Sequence, residues 1–489
     1  MTWTGCIAAR VTSDVRNLAG LWLDAVIPTV VFILLASATA RPIFSGLLSL
    51  TLGVGYGFAN RSKQRVLGEP IVFTDIYLAP DVFRYPRMAL PFPKLGPIVG
   101  GALGIVVLLA LLLAMESPSW HLSIYQPLLA GIALYGLSRA ESTFLRPLLA
   151  RRLYAMKPSG EATLDTKIFG PFGLLLAHGL LASVERESRR ESIARQYATT
   201  KKLDKVPNPG HVVLVQSESF FDPRRIKGID AGLLPNWDSC IAAGAQWGRL
   251  SVPSWGANTV RSEFSVLTGI DQFDIGYDRF NPYHRFAQKT VPSIASVMKE
   301  RGYRTVCVHS FDKRFYARDK VLPQLGFDEF IDETAFVFPQ RINGFISDAD
   351  VSVLVERILG ECSQPIFLFV ITMENHGPWP LRCPGLEIKL TQSLNLTPDS
   401  QNAFEQYLQA LKNADAMLGS IRAALEKLPV PSTLGFYGDH LPALASTFEQ
   451  LHYSDRCSDY LILSTGRSAG RQIDLTTHEL HLDLLKALN

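Results

Sequence analysis

The chain has 489 residues, of which 47% are hydrophobic, and a formal net charge of +3. This length allows a membrane part followed by one globular domain of about 280 residues, and so small a net charge makes no case for a nucleic-acid partner. No internal repeat, long charge block or low-complexity tract is visible, so the uneven distribution of apolar residues is the first informative feature.

Apolar stretches long enough to cross a bilayer begin near the N-terminus. Four predicted spans cover residues 21–40, 42–58, 95–115 and 120–137. A shorter stretch, residues 168–184, contains Pro171, His178 and three glycines. It is predicted as a fifth span, with an interfacial or core helix as the alternative. The sequence therefore predicts a transmembrane domain over residues 1–185, a bundle of about five helices.

Basic residues are concentrated in two of the connecting segments. The positive-inside rule places such segments in the cytoplasm. A fifth span then puts everything after about residue 186 on the extracytoplasmic, periplasmic side, in a multi-pass protein of the inner or plasma membrane. The basic residues lie between spans two and three and after span four: Arg61, Lys63, Arg65, Arg84, Arg87, Lys94, and Arg139, Arg146, Arg151, Arg152.

Residues 186–208 are charged and run into a Pro-Asn-Pro-Gly stretch at 207–210. This pattern predicts a juxtamembrane surface helix and linker. Its basic side chains can rest on anionic headgroups, or the segment can be a solvated connector. The large domain is predicted to cover residues 209–489.

Four short apolar runs in this domain predict buried strands. They cover residues 211–216, 304–308, 365–371 and 433–437. Helix-length segments separate them, which is typical of an α/β fold whose ligands gather outside the carboxyl ends of the strands. The ionisable residues that follow the strands are Glu218, His309, Glu374, His376, Asp439 and His440.

Thr259 follows a glycine-containing turn and begins a helix-like segment. Free backbone N–H groups and the helix dipole favour anions at that position, and a divalent cation can activate a hydroxyl there as a nucleophile. A simple helix cap is the alternative for Thr259 alone. Glu218, Asp439 and His440 supply two carboxylates and one imidazole, a set that suits manganese or zinc better than magnesium.

These motifs resemble the lipoteichoic acid synthase and phosphoglycerol transferase family, within the alkaline phosphatase and sulfatase superfamily. The resemblance covers nearly the whole chain and implies a sulfatase-like α/β catalytic domain behind the membrane helices. It is most specific in Ser-Glu-Ser-Phe at 217–220, Thr-x-x-Ser-Glu-Phe at 259–264, His-Ser-x(5)-Tyr-x-Arg at 309–318, Glu-Asn-His-Gly-Pro-Trp at 374–379, and Tyr-Gly-Asp-His at 437–440.

The resemblance also implies roles for individual residues. One divalent metal, Mn²⁺ before Zn²⁺ or Mg²⁺, is held by Glu218, Thr259, Asp439 and His440. Thr259 attacks a phospholipid phosphorus, releases diacylglycerol and holds glycerol phosphate as a covalent intermediate. His376 binds a phosphoryl oxygen or donates a proton.

Three further residues are expected to bind the phosphoglycerol or acceptor end: His309, Tyr316 and Arg318. An arginine fork suits such oxygens. The alternatives are a satisfied core histidine for His309, simple packing for Tyr316 and an ordinary surface charge for Arg318.

The resemblance weakens at the nucleophile, where Asn258-Thr259-Val260-Arg261 replaces the Lys-Thr-Ser-Asp type of sequence. A single transfer from phosphatidylglycerol to a periplasmic or cell-surface glycan is therefore expected rather than polymerisation of glycerol phosphate.

Three alternative functions remain at this point. A phosphoethanolamine transferase shares the anchor, the fold and a threonine nucleophile, usually with zinc. A non-catalytic membrane-anchored binding protein could keep the fold without turnover. A type I sulfatase would need a Cys or Ser in a C/S-x-P/A-x-R setting, and residues 240–244 lack the arginine.

Overall fold

The computed structural model describes residues 18–89, 95–119, 131, 132, 135, 145–200, 210–286, 291–379, 386–388, 390, 394–465 and 470–487. The chain divides into two compact units. One unit contains Met1–Asp75 and Phe92–Arg186, and the other contains Ile76–Pro91 and Glu187–Asn489.

The described helices of the N-terminal part differ widely in length. In chain order they are α1 Leu18–Thr39, α2 Pro42–Leu67, α3 Ala79–Arg84, α4 Pro86–Ala89, α5 Leu95–Met115, α6 Leu145–Ala155, α7 Ala162–Phe169 and α8 Pro171–Thr200. Of these, α3 and α4 belong to the second unit.

The described residues support two or three membrane spans, so the prediction of five is not confirmed. Helices α1 and α2 are long and apolar enough to cross a membrane, and the bent pair α7 and α8 is a third if it forms one span. The predicted span 95–115 forms helix α5, within which Leu103–Met115 is a shorter apolar helix. The predicted span 120–137 lies outside the described residues except at 131, 132 and 135.

The stretch predicted as a fifth span is not one straight helix. Helix α7 ends at Phe169 and α8 begins at Pro171, with a bend of 113° between them. Gly170 allows this break because its φ is +77°, a value that favours glycine. In the same unit, Asp24 of α1 accepts hydrogen bonds from the N–H groups of Phe172 and Gly173 at 2.8 and 3.1 Å, which caps the start of α8.

The second unit is built on an eight-stranded mixed sheet in the order β10-β2-β9-β8-β1-β7-β3-β4. Strands β8, β1, β7, β3 and β4 are parallel, and β9 is antiparallel to both of its neighbours. Beside this sheet, β5 and β6 form an antiparallel pair. The strands are β1 His211–Ser217, β2 Gln246–Ser251, β3 Arg304–His309, β4 Glu329–Ile331, β5 Arg341–Ile342, β6 Phe345–Ile346, β7 Ile366–Ile371, β8 Ser432–Gly438, β9 Ser458–Ser464 and β10 Leu475–Thr476.

Helices cover both faces of the sheet. Along β1, Val213 and Val215 enter one hydrophobic cluster while Val212 and Leu214 enter the other, because successive strand residues point to opposite faces. Burial on both faces explains the uninterrupted apolar runs of the central strands. The helices after α8 are α9 Pro235–Ala242, α10 Thr259–Thr268, α11 Gln272–Ile275, α12 Pro282–Phe286, α13 Ile294–Glu300, α14 Arg318–Gln324, α15 Asp348–Gly360, α16 Pro398–Glu426, α17 Ala445–Gln450 and α18 Thr477–Ala487.

The four strands predicted from the sequence all form, as β1, β3, β7 and β8. They are adjacent and parallel, so their carboxyl ends meet at one edge of the sheet. The prediction of an α/β domain that collects its polar residues at this edge is confirmed.

Candidate metal centre

Three predicted metal ligands come together at the carboxyl edge of the sheet. Glu218 follows β1, and Asp439 and His440 follow β8, its hydrogen-bonded neighbour. All three are buried, and one ligand atom from each lies within 4.8 Å of the others. The His440 Nε2 atom lies 3.8 Å from Glu218 Oε1 and 3.3 Å from Asp439 Oδ2. Two carboxylates and one imidazole at this spacing could hold one divalent cation.

The electrostatics of this group fit a cation. Burial, and then the charge of Asp439, raise the pKa of Glu218 to about 8. Among the described atoms, Asp439 Oδ2 is buried without a hydrogen-bond partner. Buried carboxylates are costly unless a cation or sufficient hydrogen bonds compensate them. The residues present therefore fit a divalent metal.

Thr259 lies next to this group, as predicted from its position at the start of a helix. It is the first residue of α10, and its Oγ1 atom is 3.3 Å from His440 Nε2. The preceding residue, Asn258, has a φ of +65°, so the chain turns sharply into the helix. The hydroxyl thus stands at a helix N-terminus, beside the metal-binding residues, where backbone N–H groups favour a phosphate.

Two serines that the sequence analysis did not single out organise the ligands. Ser219 donates from its hydroxyl to Glu218 Oε1 at 2.7 Å and from its backbone N–H to Asp439 Oδ1 at 2.9 Å. Ser262 donates to the backbone carbonyl of Asp439 at 2.6 Å. Groups that hydrogen-bond to metal ligands fix their orientation. Ser219 lies in the Ser-Glu-Ser-Phe motif and Ser262 in the Thr-x-x-Ser-Glu-Phe motif, so the two motifs could have identified them.

A second cluster contains His309 and Arg318. The Arg318 guanidinium donates to the Glu263 carboxylate through Nε at 3.0 and 3.2 Å and through Nη2 at 2.8 Å. Its Nη1 atom lies 3.4 Å from His309 Nε2. Arg318 is only 1% exposed, so it is not an ordinary surface charge. Burial and then the Arg318 charge hold the pKa of His309 well below its ordinary value, which keeps the imidazole neutral.

Glu263 is the partner that the sequence analysis missed. It also accepts a hydrogen bond from the Tyr283 hydroxyl at 2.5 Å and from Gln216 Nε2 at 3.0 Å. The residue lies on α10, four positions after Thr259, so the helix that carries the threonine also anchors Arg318. Its place in Thr-x-x-Ser-Glu-Phe was the signal that could have identified it.

Tyr316 lies against the second cluster. The Arg318 guanidinium carbon lies 5.4 Å from the centre of the Tyr316 ring. Burial raises the pKa of this tyrosine to about 12. The contact with Arg318 is compatible with substrate binding and with simple packing.

His376 and Glu374 follow β7 and have different surroundings. The His376 Nδ1 atom is 2.5 Å from the carbonyl oxygen of Gly377, and burial lowers the pKa of the ring. Glu374 accepts from the N–H of Asp348, at the start of α15, and from Asn413 Nδ2, both at 2.6 Å. Glu374 is therefore a helix-capping carboxylate and is not part of the metal-binding group.

Comparison with models of protein families shows that the Sulfatase family model matches residues 210–488.

Three similar proteins are informative. The capsular polysaccharide biosynthesis protein RkpI of Rhizobium meliloti is 28% identical over 459 residues, covering 88% of this chain and 78% of that protein. A putative cyclic beta-1,2-glucan modification protein of the same species is 29% identical over 244 residues, or 50% of this chain and 37% of that protein. Lipoteichoic acid synthase of Staphylococcus aureus is 21% identical over 333 residues, 64% of this chain. The chain spans only 49% of that synthase.

Two solved structures share the fold. The lipooligosaccharide phosphoethanolamine transferase EptA of Neisseria meningitidis aligns over 96% of this chain and 90% of its own, with a TM-score of 0.51 and 13% identity. The Streptococcus pyogenes phosphoglycerol transferase GacH, in complex with sn-glycerol-1-phosphate, aligns over 61% of this chain and 81% of its own, with a TM-score of 0.50 and 24% identity. Since the family model matches more than half of the residues, the chain belongs to the sulfatase family, within the alkaline phosphatase superfamily of enzymes.

Proposed function

We propose that this chain is a membrane-anchored phosphoglycerol transferase. It moves glycerol phosphate from phosphatidylglycerol to a hydroxyl group of a periplasmic or cell-surface glycan. The observation that carries the proposal is the position of Thr259, whose Oγ1 atom lies 3.3 Å from His440 Nε2 at a helix N-terminus. A hydroxyl in that position, beside a buried cation site, is equipped to attack a phosphorus atom.

The relatives support the choice of donor and acceptor. GacH is described as a phosphoglycerol transferase with bound sn-glycerol-1-phosphate, and two other relatives are described by capsular polysaccharide biosynthesis and by glucan modification. The first description supports glycerol phosphate as the transferred group, and the other two support a glycan as the acceptor. The apolar helices α1 and α2 support membrane anchoring, which gives access to a lipid donor. The catalytic domain is proposed to be extracytoplasmic, on the same side as the glycan.

The metal is proposed to be Mn²⁺, with Zn²⁺ and Mg²⁺ as alternatives, held by Glu218, Thr259, Asp439 and His440. Such an ion lowers the pKa of a hydroxyl and neutralises phosphate oxygens. Ser219 and Ser262 keep the two carboxylate ligands in place through the hydrogen bonds described above.

The proposed reaction has two balanced steps. In the first, Thr259 Oγ1 forms a bond to phosphorus while the bond from phosphorus to the diacylglycerol oxygen breaks, and diacylglycerol leaves with a proton. In the second, an acceptor hydroxyl loses its proton and attacks the same phosphorus, which releases the threonine oxygen. With its Nδ1–H donated to Gly377, His376 presents Nε2 as the nitrogen that can carry the transferred proton.

The second cluster is proposed to bind the glycerol or acceptor end. Glu263 neutralises the charge of Arg318, and the His309 imidazole is held neutral. The second cluster therefore offers hydrogen-bonding groups but carries little net charge. Uncharged hydroxyl groups suit such a surface. His309, Tyr316 and Arg318 are therefore assigned to the hydroxyl-rich part of the substrate.

The decisive experiment is mass spectrometry of the full-length purified protein after incubation with Mn²⁺ and phosphatidylglycerol, followed by peptide mapping. A glycerol phosphate adduct on Thr259 is expected. Thr259→Ala should show no adduct and no turnover, because it removes the hydroxyl that lies 3.3 Å from His440 Nε2. The matched control is Thr268→Ala at the opposite end of α10, where the hydroxyl bonds the carbonyl of Phe264 and activity should persist.

Two results would change the assignment. Unchanged turnover by Thr259→Ala removes this residue as the nucleophile. An adduct that forms only with phosphatidylethanolamine identifies a phosphoethanolamine transferase, the activity named for EptA, whose fold matches along most of this chain.

A further inference from the structure

The segment Ile76–Pro91 lies between α2 and α5 in sequence, yet it belongs to the compact unit that contains the metal centre. We call it the 76–91 segment. It begins within the 3₁₀ turn Phe73–Leu78 and contains α3 and α4. The positive-inside rule predicts that this loop is cytoplasmic, away from an extracytoplasmic catalytic domain. Its contacts with the catalytic domain do not allow the two to lie on opposite sides of a membrane.

Tyr85 anchors the 76–91 segment to the turn that precedes Arg318. Its hydroxyl donates to Asp312 Oδ2 at 2.7 Å, and its ring packs against Phe311 and Phe315 with centroid distances of 5.3 and 5.5 Å. Burial and the Asp312 hydrogen bond raise the pKa of Tyr85 to about 12, so it remains a donor at neutral pH. A third aromatic contact is the stacking of Tyr77 on His284.

Asp81 supports the backbone of Tyr316 directly. Its Oδ2 atom accepts a hydrogen bond from the Tyr316 N–H at 3.4 Å. Tyr316 and Ala317 have φ values of +59° and +55°, in the left-handed region that side chains rarely adopt. Such conformations persist where surrounding contacts hold them in place. The 76–91 segment supplies one of those contacts.

This strained turn connects to the substrate side of the site. Arg318 follows Tyr316 by two residues, and its guanidinium carbon lies 5.4 Å from the centre of the Tyr316 ring. A shift of the turn would therefore move Arg318, which the proposed function assigns to substrate binding. The contacts form a continuous series from Tyr85 and Asp81 through the turn to Arg318.

We propose that the 76–91 segment is a part of the catalytic domain that holds the 311–318 turn in place for substrate binding, and that it lies on the same side of the membrane as the metal centre. Asp81 and Tyr85 are positioning residues in this arrangement. The role in substrate binding rests on the proposed function, whereas the location does not.

A consequence concerns the number of membrane crossings. The chain leaves the second unit after Pro91 and re-enters it at Glu187. A chain that returns to the same side has crossed an even number of times, whereas the sequence predicts three spans in this interval. The three predicted spans of this interval therefore cannot all be full crossings if the proposal holds.

The location is tested by cysteine labelling of the full-length protein in sealed vesicles, with a membrane-impermeant maleimide and peptide mapping. Arg84→Cys probes the 76–91 segment at a side chain that is 46% exposed. Phe338→Cys, at a position 98% exposed, marks the catalytic domain. Both cysteines should react from the same face. The proposal is overturned if Arg84→Cys reacts only from the opposite face, or if it reacts from neither face while Phe338→Cys reacts. Neither outcome bears on the reaction type.

The positioning role is tested by Tyr85→Phe, which removes only the hydroxyl. Loss of the Asp312 hydrogen bond should raise KM for phosphatidylglycerol by about tenfold and leave kcat nearly unchanged, because ground-state binding is weakened. The matched control is Tyr154→Phe, whose hydroxyl bonds Glu185 in the first unit. An unchanged KM, or a loss of stability without a change in KM, refutes the positioning role.

Discussion

Removal of the metal should make the stability of this protein fall as pH rises. In the metal-free state, burial and the neighbouring Asp439 raise the pKa of Glu218 from 4.5 to about 8. Between these two values the folded protein holds a proton that the unfolded chain releases. The free energy of unfolding therefore decreases with rising pH across this window, because the folded state binds more protons.

The size of this effect follows from the pKa shift. A shift of about 3.5 units, at about 1.36 kcal/mol per unit, corresponds to about 5 kcal/mol as an upper limit. Saturating metal should remove this pH dependence above about pH 5, because a cation requires the carboxylate of Glu218 in its charged form and the folded protein then holds no extra proton there. Below about pH 8, metal affinity should fall by up to about tenfold per pH unit, one proton being displaced for each ion bound.

The assay is denaturant unfolding of the full-length protein with chelator and with Mn²⁺, at several values between pH 5 and 9. The Glu218→Gln variant is the control, since it keeps the shape of the side chain and removes its titration. The difference between the two pH profiles reports Glu218 together with its effect on Asp348, whose pKa is raised by burial and by the charges of Glu374 and Glu218. Parallel profiles for the metal-free wild type and Glu218→Gln would refute the reasoning.

Two further predictions concern the residues that support the site. Glu263→Gln leaves the buried guanidinium of Arg318 without its counter-charge and should lower the free energy of unfolding by about 3–5 kcal/mol in a denaturant titration. Glu333→Gln, in an exposed ion pair, should cost no more than about 1 kcal/mol; equal losses would contradict the argument. Gly438→Ala should weaken Mn²⁺ binding, measured by calorimetry, by at least about tenfold, because a Cβ there would overlap the carbonyl oxygen of Phe220 and displace the adjoining ligands. Wild-type affinity in this variant would show that the turn tolerates a side chain.

The central strands and their polar ends could be predicted from the sequence. Strands buried on both faces need continuous apolar residues, so strands such as 211–216 and 365–371 can be predicted from the sequence alone. Parallel order then brings Glu218, Asp439 and His440 to one edge, and the helix start places Thr259 beside them. These features depend on local patterns and on one general rule of sheet topology.

The remaining features depend on contacts between residues that are distant in sequence. Glu263 and Arg318 are 55 residues apart, and Tyr85 and Asp312 are 227 apart. Such pairs leave no periodic pattern, because each requires a particular arrangement of two elements in space. The number of membrane spans is open for a similar reason, since hydropathy and charge report only how well a stretch suits a bilayer. Whether the chain bends at Gly170 or returns a loop to the catalytic domain is decided by packing and hydrogen bonds that only the folded structure supplies.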